Sequence, residues 1–237
     1  MPTAPYELEV VLPVHNEGGS IEATIREIYQ EISPRVNMRF VISEDGSRDN
    51  TQEVLKRLSA SIPMVLELSS ARKGYSRAVI DAFRRVEAPY CLALDSDGQC
   101  EPKDFWQFWE RRGTKDLLIG WRVNRADPFF RRWMSKSFKA VHSILFRPGL
   151  HDPSCPYLLI KRDVLQRLVP ELGVLSQGFW WEFVARTLRH GFTIAELPVQ
   201  HRQRSAGITR VYTLRKIPKI ALLHLAGLWQ IYRERKR

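Results

Sequence analysis

Strand-like and helical segments alternate four times within the first 95 residues. Short apolar runs typical of buried strands occur at 8–14, 38–43, 64–68 and 90–94. Between them, apolar residues recur at helical spacing, as in the series Ile21, Ile25, Ile28 and Ile32. This alternation predicts an α/β fold with a mostly parallel, doubly wound sheet flanked by helices. Such sheets bind ligands beyond the carboxyl ends of their strands, so the residues directly after each strand are candidate functional residues.

The second half of the chain is less regular. Its patterns predict helices near 102–111, 131–146 and 178–190, and strands near 117–119, 157–160 and 192–199. No linker rich in Gly, Ser or Pro separates the two halves. We therefore expect one domain over residues 1–210, made of two functional halves at 1–100 and 101–210, followed by a C-terminal helix within 211–237.

Charge and cysteine content narrow the class of protein. The net charge is +11, and residues 202–237 carry ten Lys or Arg against one acidic residue. Basic patches of this kind predict a polyanionic partner such as nucleic acid, anionic lipid or a phosphorylated substrate. The three cysteines form no CxxC pair, which fits a reducing compartment. With no secretory leader and no apolar run of about 20 residues, we expect a cytoplasmic protein that is soluble or peripheral to a membrane.

Two carboxylates, Asp95 and Asp97, follow the predicted strand at 90–94. An Asp-x-Asp pair alone is a weak signal, because acidic turn residues and helix caps produce it often. Beyond a buried strand, however, two adjacent carboxylates favour a shared hard cation. Mg²⁺ or Mn²⁺ could bridge such a pair to a diphosphate and offset the charge of a departing nucleoside diphosphate.

The loops after the first and second predicted strands lack the motifs of two common nucleotide-binding sites. Neither the segment 13–19 nor the segment 44–49 is a GxGxxG turn or a P-loop, which disfavours a dinucleotide dehydrogenase and a Walker-type NTPase. Acidic side chains at strand ends suit the donor groups of a base or ribose. Lys73-Gly74 opens a predicted helix and combines a cation, a glycine and a helix N-terminus, which suits an anion.

Taken together, these segments resemble a known family. In chain order they are Pro13-x-x-Asn16-Glu17, Glu44-Asp45-Gly46-Ser47-x-Asp49-x-Thr51, Lys73-Gly74-x-x-x-Ala78 and Asp95-x-Asp97-x-Gln99. This order resembles that of the inverting family 2 glycosyltransferases, which have the GT-A fold. Three later segments look most like the dolichyl- or polyprenyl-phosphate sugar transferases of that family: Gly120-Trp121-Arg122, Asp152-Pro153-Ser154 and Arg202-x-Arg204-x-x-Gly207-x-Thr209-Arg210. The resemblance runs from about residue 10 to residue 210.

The resemblance implies roles for individual residues. The nucleotide-sugar would be bound by Pro13, His15, Glu17, Asp45, Lys73, Gly74, Asp95 and Ser96, and the metal by Asp95, Asp97 and Gln99. Arg122, Arg202 and Arg204 would face phosphates of donor or acceptor, and Ser154, Thr209 and Arg210 the acceptor phosphate. Residues 1–100 would then form the nucleotide-sugar half and 101–210 the acceptor half. Pro156 stands where the family has Gly, a departure from the family pattern in the expected acceptor loop.

The resemblance also implies an activity: transfer of a hexose from a nucleotide-diphosphate sugar of GDP-mannose or UDP-glucose type to a polyprenyl phosphate. An alternative acceptor is a glycan or lipid-linked hydroxyl, which requires a general base. Glu182 is the candidate base, although it equally suits an ion pair with Arg186 at i+4. Trp180 and Trp181 suit either stacking on a sugar or packing in the core. A non-catalytic basic module that binds nucleic acid is a remote alternative, and no nucleic-acid partner is expected.

Apolar residues recur every three or four positions from Ile217 to Tyr232, among basic residues on other faces. A basic amphipathic helix with Trp and Tyr suits an anionic membrane surface. The alternative is that this helix packs on its own domain or on a second subunit of a homo-oligomer.

Overall fold

The computed structural model describes residues 6–123, 129–147, 149–203 and 217–234, of which 129–137 and 217–219 are described by their backbone alone. In the first half of the chain, strands and helices alternate as predicted. Its elements are β1 (Leu8–Val14), α1 (Ile21–Ile32), β2 (Met38–Glu44), α2 (Thr51–Ser59), β3 (Met64–Glu67), α3 (Tyr75–Arg84) and β4 (Tyr90–Ala93).

In the second half, a 3-10 turn (Pro102–Asp104) leads into the first helix, and a second such turn (Val169–Glu171) follows α6. The elements are α4 (Phe105–Arg111), β5 (Leu117–Arg122), α5 (Phe129–Phe146), β6 (Leu158–Lys161), α6 (Arg162–Leu168), α7 (Phe179–Arg189), β7 (Ile194–Val199) and α8 (Ile217–Arg233). The sequence patterns did not predict α6. The predicted strand at 192–199 begins two residues later in the structure.

Seven strands form one sheet in the order β3-β2-β1-β4-β6-β5-β7. Strand β1 is parallel to β2 and β4, β2 is parallel to β3, and β5 is parallel to β7. Only β6 runs against its neighbours β4 and β5. Six strands therefore end at the same edge of the sheet, which we call the carboxyl edge, and β6 begins there. The predicted α/β class with a mostly parallel sheet is confirmed.

The core lies on both faces of the sheet. All seven residues of β1 are buried, as expected for a parallel strand covered by helices on each side. Helix α1 covers the sheet with Ile21, Ile25, Ile28 and Ile32. Each such isoleucine contributes about 1.5–3 kcal/mol by leaving water. This packing makes the sheet a rigid platform for the loops at its carboxyl edge.

Helix α8 packs against the protein with one face. Leu228 and Ile231 are fully buried, and Leu228 joins a small apolar cluster with Leu175 and Trp181. The approach is close at Gly227, where an added Cβ would lie 2.4 Å from Leu175 Cδ2. The alternative in which this helix packs on its own domain therefore holds for this face.

Candidate active site at the carboxyl edge of the sheet

The segments predicted to be functional lie at the carboxyl edge. They are the loops that follow β1, β2, β4, β5 and β7, together with the loop that enters β6. These loops, with the last residues of β2 and β5, carry His15–Glu17, Glu44–Asp49, Asp95–Asp97, Arg122, Arg202 and Asp152–Ser154. The sheet topology thus brings residues from both halves of the chain to one edge.

The loops after β1 and β2 bind each other. Asn16 adopts a φ of 55°, and its backbone N–H donates to Ser47 Oγ at 2.8 Å. Its side-chain oxygen accepts the backbone N–H of Arg48 at 2.8 Å. The Gly18 N–H donates to Asp49 Oδ2 at 3.1 Å. These hydrogen bonds therefore join the two loops, and the position of the loops does not depend on a ligand.

Glu44 holds the start of its loop. It is fully buried, and its carboxylate accepts the backbone N–H groups of Ser47 and Ser69 and the side-chain amide of Gln52. Burial acts to raise the pKa of Glu44, but the hydrogen bonds from Ser47, Gln52 and Ser69 lower it below its ordinary value. The side chain is therefore ionised and satisfied, with a structural role.

Asp45 joins the end of β2 to the start of α3. Its buried Oδ1 accepts the backbone N–H groups of Lys73 and Gly74, the latter at 2.8 Å. The Lys73 ammonium turns away to carboxylates, lying 3.0 Å from Asp81 Oδ2 and 3.8 Å from Glu67 Oε1. Because the ammonium is engaged with these two carboxylates, this geometry does not support the predicted contact of the Lys73 side chain with the nucleotide.

Gly74 itself fits the prediction better. It has a φ of 92°, which a larger residue would rarely adopt, and an added Cβ would meet no atom within 4 Å. The backbone at the start of α3 is thus open on this side. A ligand group could approach it closely.

Three other residues predicted for the nucleoside surround the end of β1. Pro13 is buried within the strand, and the largely buried Glu17 accepts a hydrogen bond from Ser20 Oγ at 2.8 Å. His15 is half-buried, with Nε2 lying 3.2 Å from Asn16 Nδ2. Its buried Nδ1 has no hydrogen-bond partner within the part of the chain that the structure describes. The contact of His15 with the nucleoside stays a prediction.

The acidic pair lies just past β4. Asp95 Oδ1 accepts a hydrogen bond from the Tyr75 hydroxyl at 2.7 Å, and Asp97 Oδ1 accepts the backbone N–H of Gln99 at 3.1 Å. Both aspartates are half-buried, and Ser96 between them is buried. Carboxylate oxygens are the ligands that Mg²⁺ and Mn²⁺ prefer.

The donor set limits how a cation could bind there. No group of three or more His, Cys, Asp and Glu side chains suited to a metal occurs among the described residues. A cation held by Asp95 and Asp97 would therefore take its other ligands from water and from a diphosphate. Mg²⁺ keeps several waters and binds through one or two carboxylates plus substrate phosphates, so the residues present fit such an ion.

Tyr75 and Trp180 were not among the predicted polar contacts of this site. The Trp180 indole N–H donates to the Tyr75 oxygen at 2.9 Å. Burial of the Tyr75 hydroxyl, and then the nearby Asp95 carboxylate, raise the pKa of this phenol well above its ordinary value. The phenol therefore keeps its proton and donates a hydrogen bond to Asp95. Trp180 is itself buried among Phe83, Phe179 and Phe183, which supports core packing rather than stacking on a sugar.

Arg202 ties the loop after β7 to the acidic loop. Its backbone N–H donates to the Gln99 carbonyl at 2.9 Å, and Gln99 Nε2 donates to the Arg202 carbonyl at 3.1 Å. The guanidinium is paired with Glu101 at 2.6 Å and Glu27 at 2.7 Å. With two carboxylates already bound, Arg202 is not arranged for the predicted phosphate contact. Gln99 joins two loops, and its role as a metal ligand stays a prediction.

Arg122 is held rigidly at the end of β5. Its Nε and Nη2 donate to the two oxygens of Asp152 at 2.7 Å and 3.1 Å, and Ser154 Oγ donates to Asp152 Oδ1 at 2.9 Å. Glu196 in turn accepts the Asp152 backbone N–H at 2.6 Å. Asp152 occupies the Nε and Nη2 edge of the guanidinium and fixes its plane. Among these contacts Arg122 has one carboxylate partner, whereas Arg202 has two, and a contact of Arg122 with a phosphate oxygen stays a prediction.

Glu182 does not have the surroundings of a catalytic base. Its fully buried carboxylate accepts the backbone N–H groups of Gly173, Val174 and Leu175 at 3.1, 3.1 and 2.7 Å. Arg186 Nε donates to it at 3.0 Å. Four donors and no exposure leave no path for an acceptor hydroxyl, so the ion-pair alternative with Arg186 is the one that this geometry supports.

The remaining predicted phosphate ligands lie outside the described residues. These are Arg204, Thr209 and Arg210, together with the intervening Gly207.

The fold and the site define a class: an α/β protein whose acidic pair and basic side chains meet at the carboxyl edge of a mostly parallel sheet. The sequence model of one family, "Glycosyl transferase family 2", matches residues 9–169. This match covers more than half of the chain, and the chain belongs to glycosyl transferase family 2. The resemblance inferred from the sequence motifs is thereby confirmed.

Two relatives resemble nearly the whole chain. The glycosyltransferase AglD of Haloferax volcanii is 28% identical over 239 residues, covering 96% of this chain and 38% of AglD. The undecaprenyl-phosphate 4-deoxy-4-formamido-L-arabinose transferase of Pseudomonas syringae pv. syringae is 24% identical over 221 residues, covering 90% of this chain and 64% of that enzyme. The chain thus spans less than two-thirds of the length of either relative.

Among solved structures, glucosyl-3-phosphoglycerate synthase from Mycobacterium tuberculosis, in complex with Mn²⁺, UDP and phosphoglyceric acid, matches with a TM-score of 0.70. The identity is 17%, and the match covers 96% of this chain and 79% of that chain. At this identity the likeness concerns the fold alone, and it confirms the GT-A architecture.

Proposed function

We propose that the chain is an inverting glycosyltransferase that moves a hexose from a nucleotide-diphosphate sugar of GDP-mannose or UDP-glucose type to a polyprenyl phosphate. The observation that carries the proposal is the pair Asp95 and Asp97 at the carboxyl edge of a family 2 sheet. The undecaprenyl-phosphate transferase among the relatives supports the choice of acceptor. Family membership leaves the nucleic-acid-binding alternative without support.

The donor would lie across the ends of β1, β2 and β4, in the half formed by residues 1–100. His15 and Asp45 would face the nucleoside, and Asp95 and Asp97 would hold Mg²⁺ or Mn²⁺. Once bound, such a cation neutralises charge on the departing diphosphate. The loops after β1 and β2 are hydrogen-bonded to each other before the donor binds. The entropic cost of ordering them on binding is therefore small, which favours affinity.

The acceptor would approach from the half formed by residues 101–210, where Arg122 is oriented by Asp152. A phosphate acceptor is already anionic and needs cations more than a base. A hydroxyl acceptor needs a base within hydrogen-bonding reach. Glu182 was the candidate for that role, and its burial with four donors favours the phosphate acceptor instead.

Donor and metal are tested by thermal denaturation with UDP-glucose or GDP-mannose, each with and without Mn²⁺. The matching nucleotide-sugar with Mn²⁺ is expected to raise the melting temperature, since a ligand at 100 times its Kd adds about 2.7 kcal/mol. Asp97→Asn is expected to abolish the Mn²⁺-dependent part of this rise. Asp163→Asn, an exposed aspartate of α6 outside the proposed site, is the matched control and is expected to behave as the wild type. Equal Mn²⁺-dependent stabilisation of the wild type and Asp97→Asn would contradict the proposal.

The acceptor is tested by offering radiolabelled donor to vesicles that contain undecaprenyl phosphate or undecaprenol. Transfer to the phosphate alone, reduced at least tenfold by Arg122→Gln, is the expected result. Transfer to the alcohol, lost in Glu182→Gln at a temperature where this variant is folded, would establish the hydroxyl alternative.

We also propose that the protein is cytoplasmic and docks on an anionic membrane through α8. Within the described residues, no helix is long and apolar enough to cross a membrane. However, Leu222 and Trp229, which are 68% and 53% exposed, lie on the face of α8 opposite its buried side, and Tyr232, 45% exposed, lies beside them. Leu223, 58% exposed, lies on the other flank. Basic residues precede this stretch at 215, 216 and 219 and follow it at 233 and 235–237. An apolar stripe with Trp and Tyr between basic ends suits a lipid headgroup region.

Docking is tested by sedimentation with vesicles of phosphatidylcholine alone or mixed with phosphatidylglycerol. Binding to the mixed vesicles is expected to weaken about tenfold or more in Leu222→Ser/Trp229→Ser and to be unchanged in Gln230→Ala, an exposed polar position on the same helix. A concentration-dependent dimer that these substitutions disrupt, with no binding to vesicles, would instead show that the face joins two copies of the chain.

A further inference from the structure

We infer that Tyr75 is a positioning residue for the acidic pair, and that Trp180 acts through it. This inference rests on the proposed metal and diphosphate site at Asp95 and Asp97. It adds two residues that belong to neither carboxylate loop, one at the start of α3 and the other in α7.

The direction of the two hydrogen bonds follows from the chemistry of the groups. An indole N–H can only donate, so Trp180 Nε1 gives its hydrogen to the Tyr75 oxygen at 2.9 Å. The phenol hydrogen is then directed to the carboxylate, and Tyr75 donates to Asp95 Oδ1 at 2.7 Å. Trp180, Tyr75 and Asp95 therefore form a chain with one polarity, ending on the carboxylate.

The far end of this chain is immobile. Trp180 is buried and makes ring contacts with Phe83, Phe179 and Phe183, with centroids 6.3, 4.9 and 6.0 Å away. Close-packed rings of this kind keep a single rotamer. The indole N–H is therefore a fixed point to which the phenol is anchored.

The near end is at the surface. Tyr75 is 39% exposed as a residue, although its hydroxyl is engaged with Trp180 and Asp95. The residue after it, Ser76, donates to the carbonyl groups of Leu175 and Ser176 at 3.0 Å, which fastens the start of α3 to the loop before α7. The backbone that carries Tyr75 is thus held from the same side as its hydroxyl.

Such a chain orients one oxygen of Asp95. Partners that hydrogen-bond a metal-ligating carboxylate fix its orientation, and their removal commonly weakens metal binding by about 10- to 100-fold. Asp97 lacks an equivalent side-chain donor among the hydrogen bonds of the described residues, where its Oδ1 accepts a backbone N–H. The two carboxylates are therefore positioned by different means, Asp95 from α3 and α7 and Asp97 from its own loop.

The test is titration of Mn²⁺ into the full chain with UDP or GDP present, with free Mn²⁺ followed by electron paramagnetic resonance. Tyr75→Phe removes only the hydroxyl and is expected to weaken Mn²⁺ binding about tenfold, while the melting temperature without ligand changes little. Tyr90→Phe is the matched control, since Tyr90 begins β4 and Asp95 lies just past the other end of that strand. This control is expected to bind Mn²⁺ as the wild type does.

Trp180→Phe removes the indole donor and is expected to weaken Mn²⁺ binding by a smaller factor, about threefold, because the phenol keeps its bond to Asp95 but loses its anchor. In the double variant Tyr75→Phe/Trp180→Phe, the loss should equal that of Tyr75→Phe alone, since Trp180 acts only through the phenol. Trp181→Phe, the same change at the next position of α7, controls for the loss of ring volume.

The outcomes separate this inference from the proposed function. If the wild type binds Mn²⁺ with the nucleotide and Tyr75→Phe binds it equally well, the positioning role is overturned and the proposed function stands. Additive losses in the double variant would overturn the link through Trp180. If the wild type binds no Mn²⁺ with either nucleotide, both the inference and the proposed metal site fall.

Discussion

Replacing Glu182 by glutamine separates a structural carboxylate from a catalytic base. The substitution keeps the size of the side chain and removes its charge. In the structure this carboxylate accepts three backbone N–H groups of residues 173–175 and the Arg186 guanidinium. A glutamine amide offers one oxygen in place of two, and its NH₂ group would face a backbone donor. We therefore expect a loss of stability with little direct effect on chemistry.

The magnitude follows from burial. Removing one partner of a buried ion pair costs about 3–5 kcal/mol, because the other charge is left uncompensated. Arg186 is buried but keeps Glu171 at 3.2 Å and Glu234 at 2.7 Å, which lowers its share of that cost. The unsatisfied backbone donor adds about 1–3 kcal/mol. With the ion-pair cost reduced to about 1–2 kcal/mol by the remaining partners of Arg186, the two effects together predict a loss of about 3 kcal/mol in the free energy of unfolding. This corresponds to about 6–12 °C in melting temperature for a chain of this size.

The assay combines urea denaturation with initial rates measured at a temperature where the variant is fully folded. We expect kcat per folded molecule within about threefold of the wild type, since a lost general base would cost about 100-fold or more. Glu110→Gln, an exposed glutamate of α4, is the control for a surface charge and should change neither quantity. A variant with unchanged stability and a kcat lowered by about 100-fold or more would refute the structural role of Glu182.

Other predictions concern buried histidines, a glycine turn and the cation. Burial lowers the pKa of His142 and of His224 from 6.5 to about 4. As the pH falls below 6.5, these histidines bind protons in the unfolded chain before they do so in the folded one. Stability that is present above pH 6.5 is therefore lost as the pH falls towards 4. The loss is up to about 3 kcal/mol per histidine, and urea denaturation across this pH range should show a weaker pH dependence in His142→Asn/His224→Asn. Gly46→Ala should lower the melting temperature, because Gly46 has a φ of 64° and an added Cβ would lie 2.3 Å from the Ala71 carbonyl carbon. Gly113→Ala is the control and should be tolerated, because an added Cβ there would meet no atom within 4 Å. Chelation by EDTA should abolish nucleotide-dependent stabilisation, and Mn²⁺ should restore it; stabilisation that survives EDTA would argue against a cation in the site.

The fold could be predicted from the sequence wherever local pattern decides the structure. The runs that predict β1, β2 and β4 are short, apolar and separated by helices of clear period, and these strands occur within a residue or so of the predicted bounds. Helix α6 was missed because it has seven residues and three buried positions, Val164, Leu165 and Leu168, too few to display a helical period. The reversed direction of β6 could not be predicted from local pattern, since strand pairing is a long-range property.

The site could be predicted in position but not in its contacts. Because functional loops follow strands, the sequence predicts which segments meet at the carboxyl edge. The partners of each charged side chain depend instead on residues far along the chain. Arg202 pairs with Glu27, 175 positions earlier, and Trp180 reaches Tyr75 across 105 positions. No motif records such pairs, so a basic or acidic residue in a motif can be matched to a family while its role in this chain is structural.

Helix α8 combines two roles, because one face packs on a loop that supports the site and the other face forms the proposed membrane contact. Its buried face packs on the loop before α7, where His224 lies so close to Gly178 that an added Cβ there would be 2.2 Å from the imidazole. The same loop accepts hydrogen bonds from the side chain of Ser76. Ser76 follows Tyr75, whose hydroxyl donates to Asp95. Deleting α8 would therefore disturb the acidic pair as well as any membrane contact. Substitutions confined to its exposed face, at Leu222 or Trp229, are the perturbation that separates the two, because these side chains lie outside the packed cluster. Such variants should keep transfer to a short-chain, water-soluble polyprenyl phosphate while losing transfer to undecaprenyl phosphate in vesicles, and equal loss on both acceptors would show that the exposed face also supports the fold.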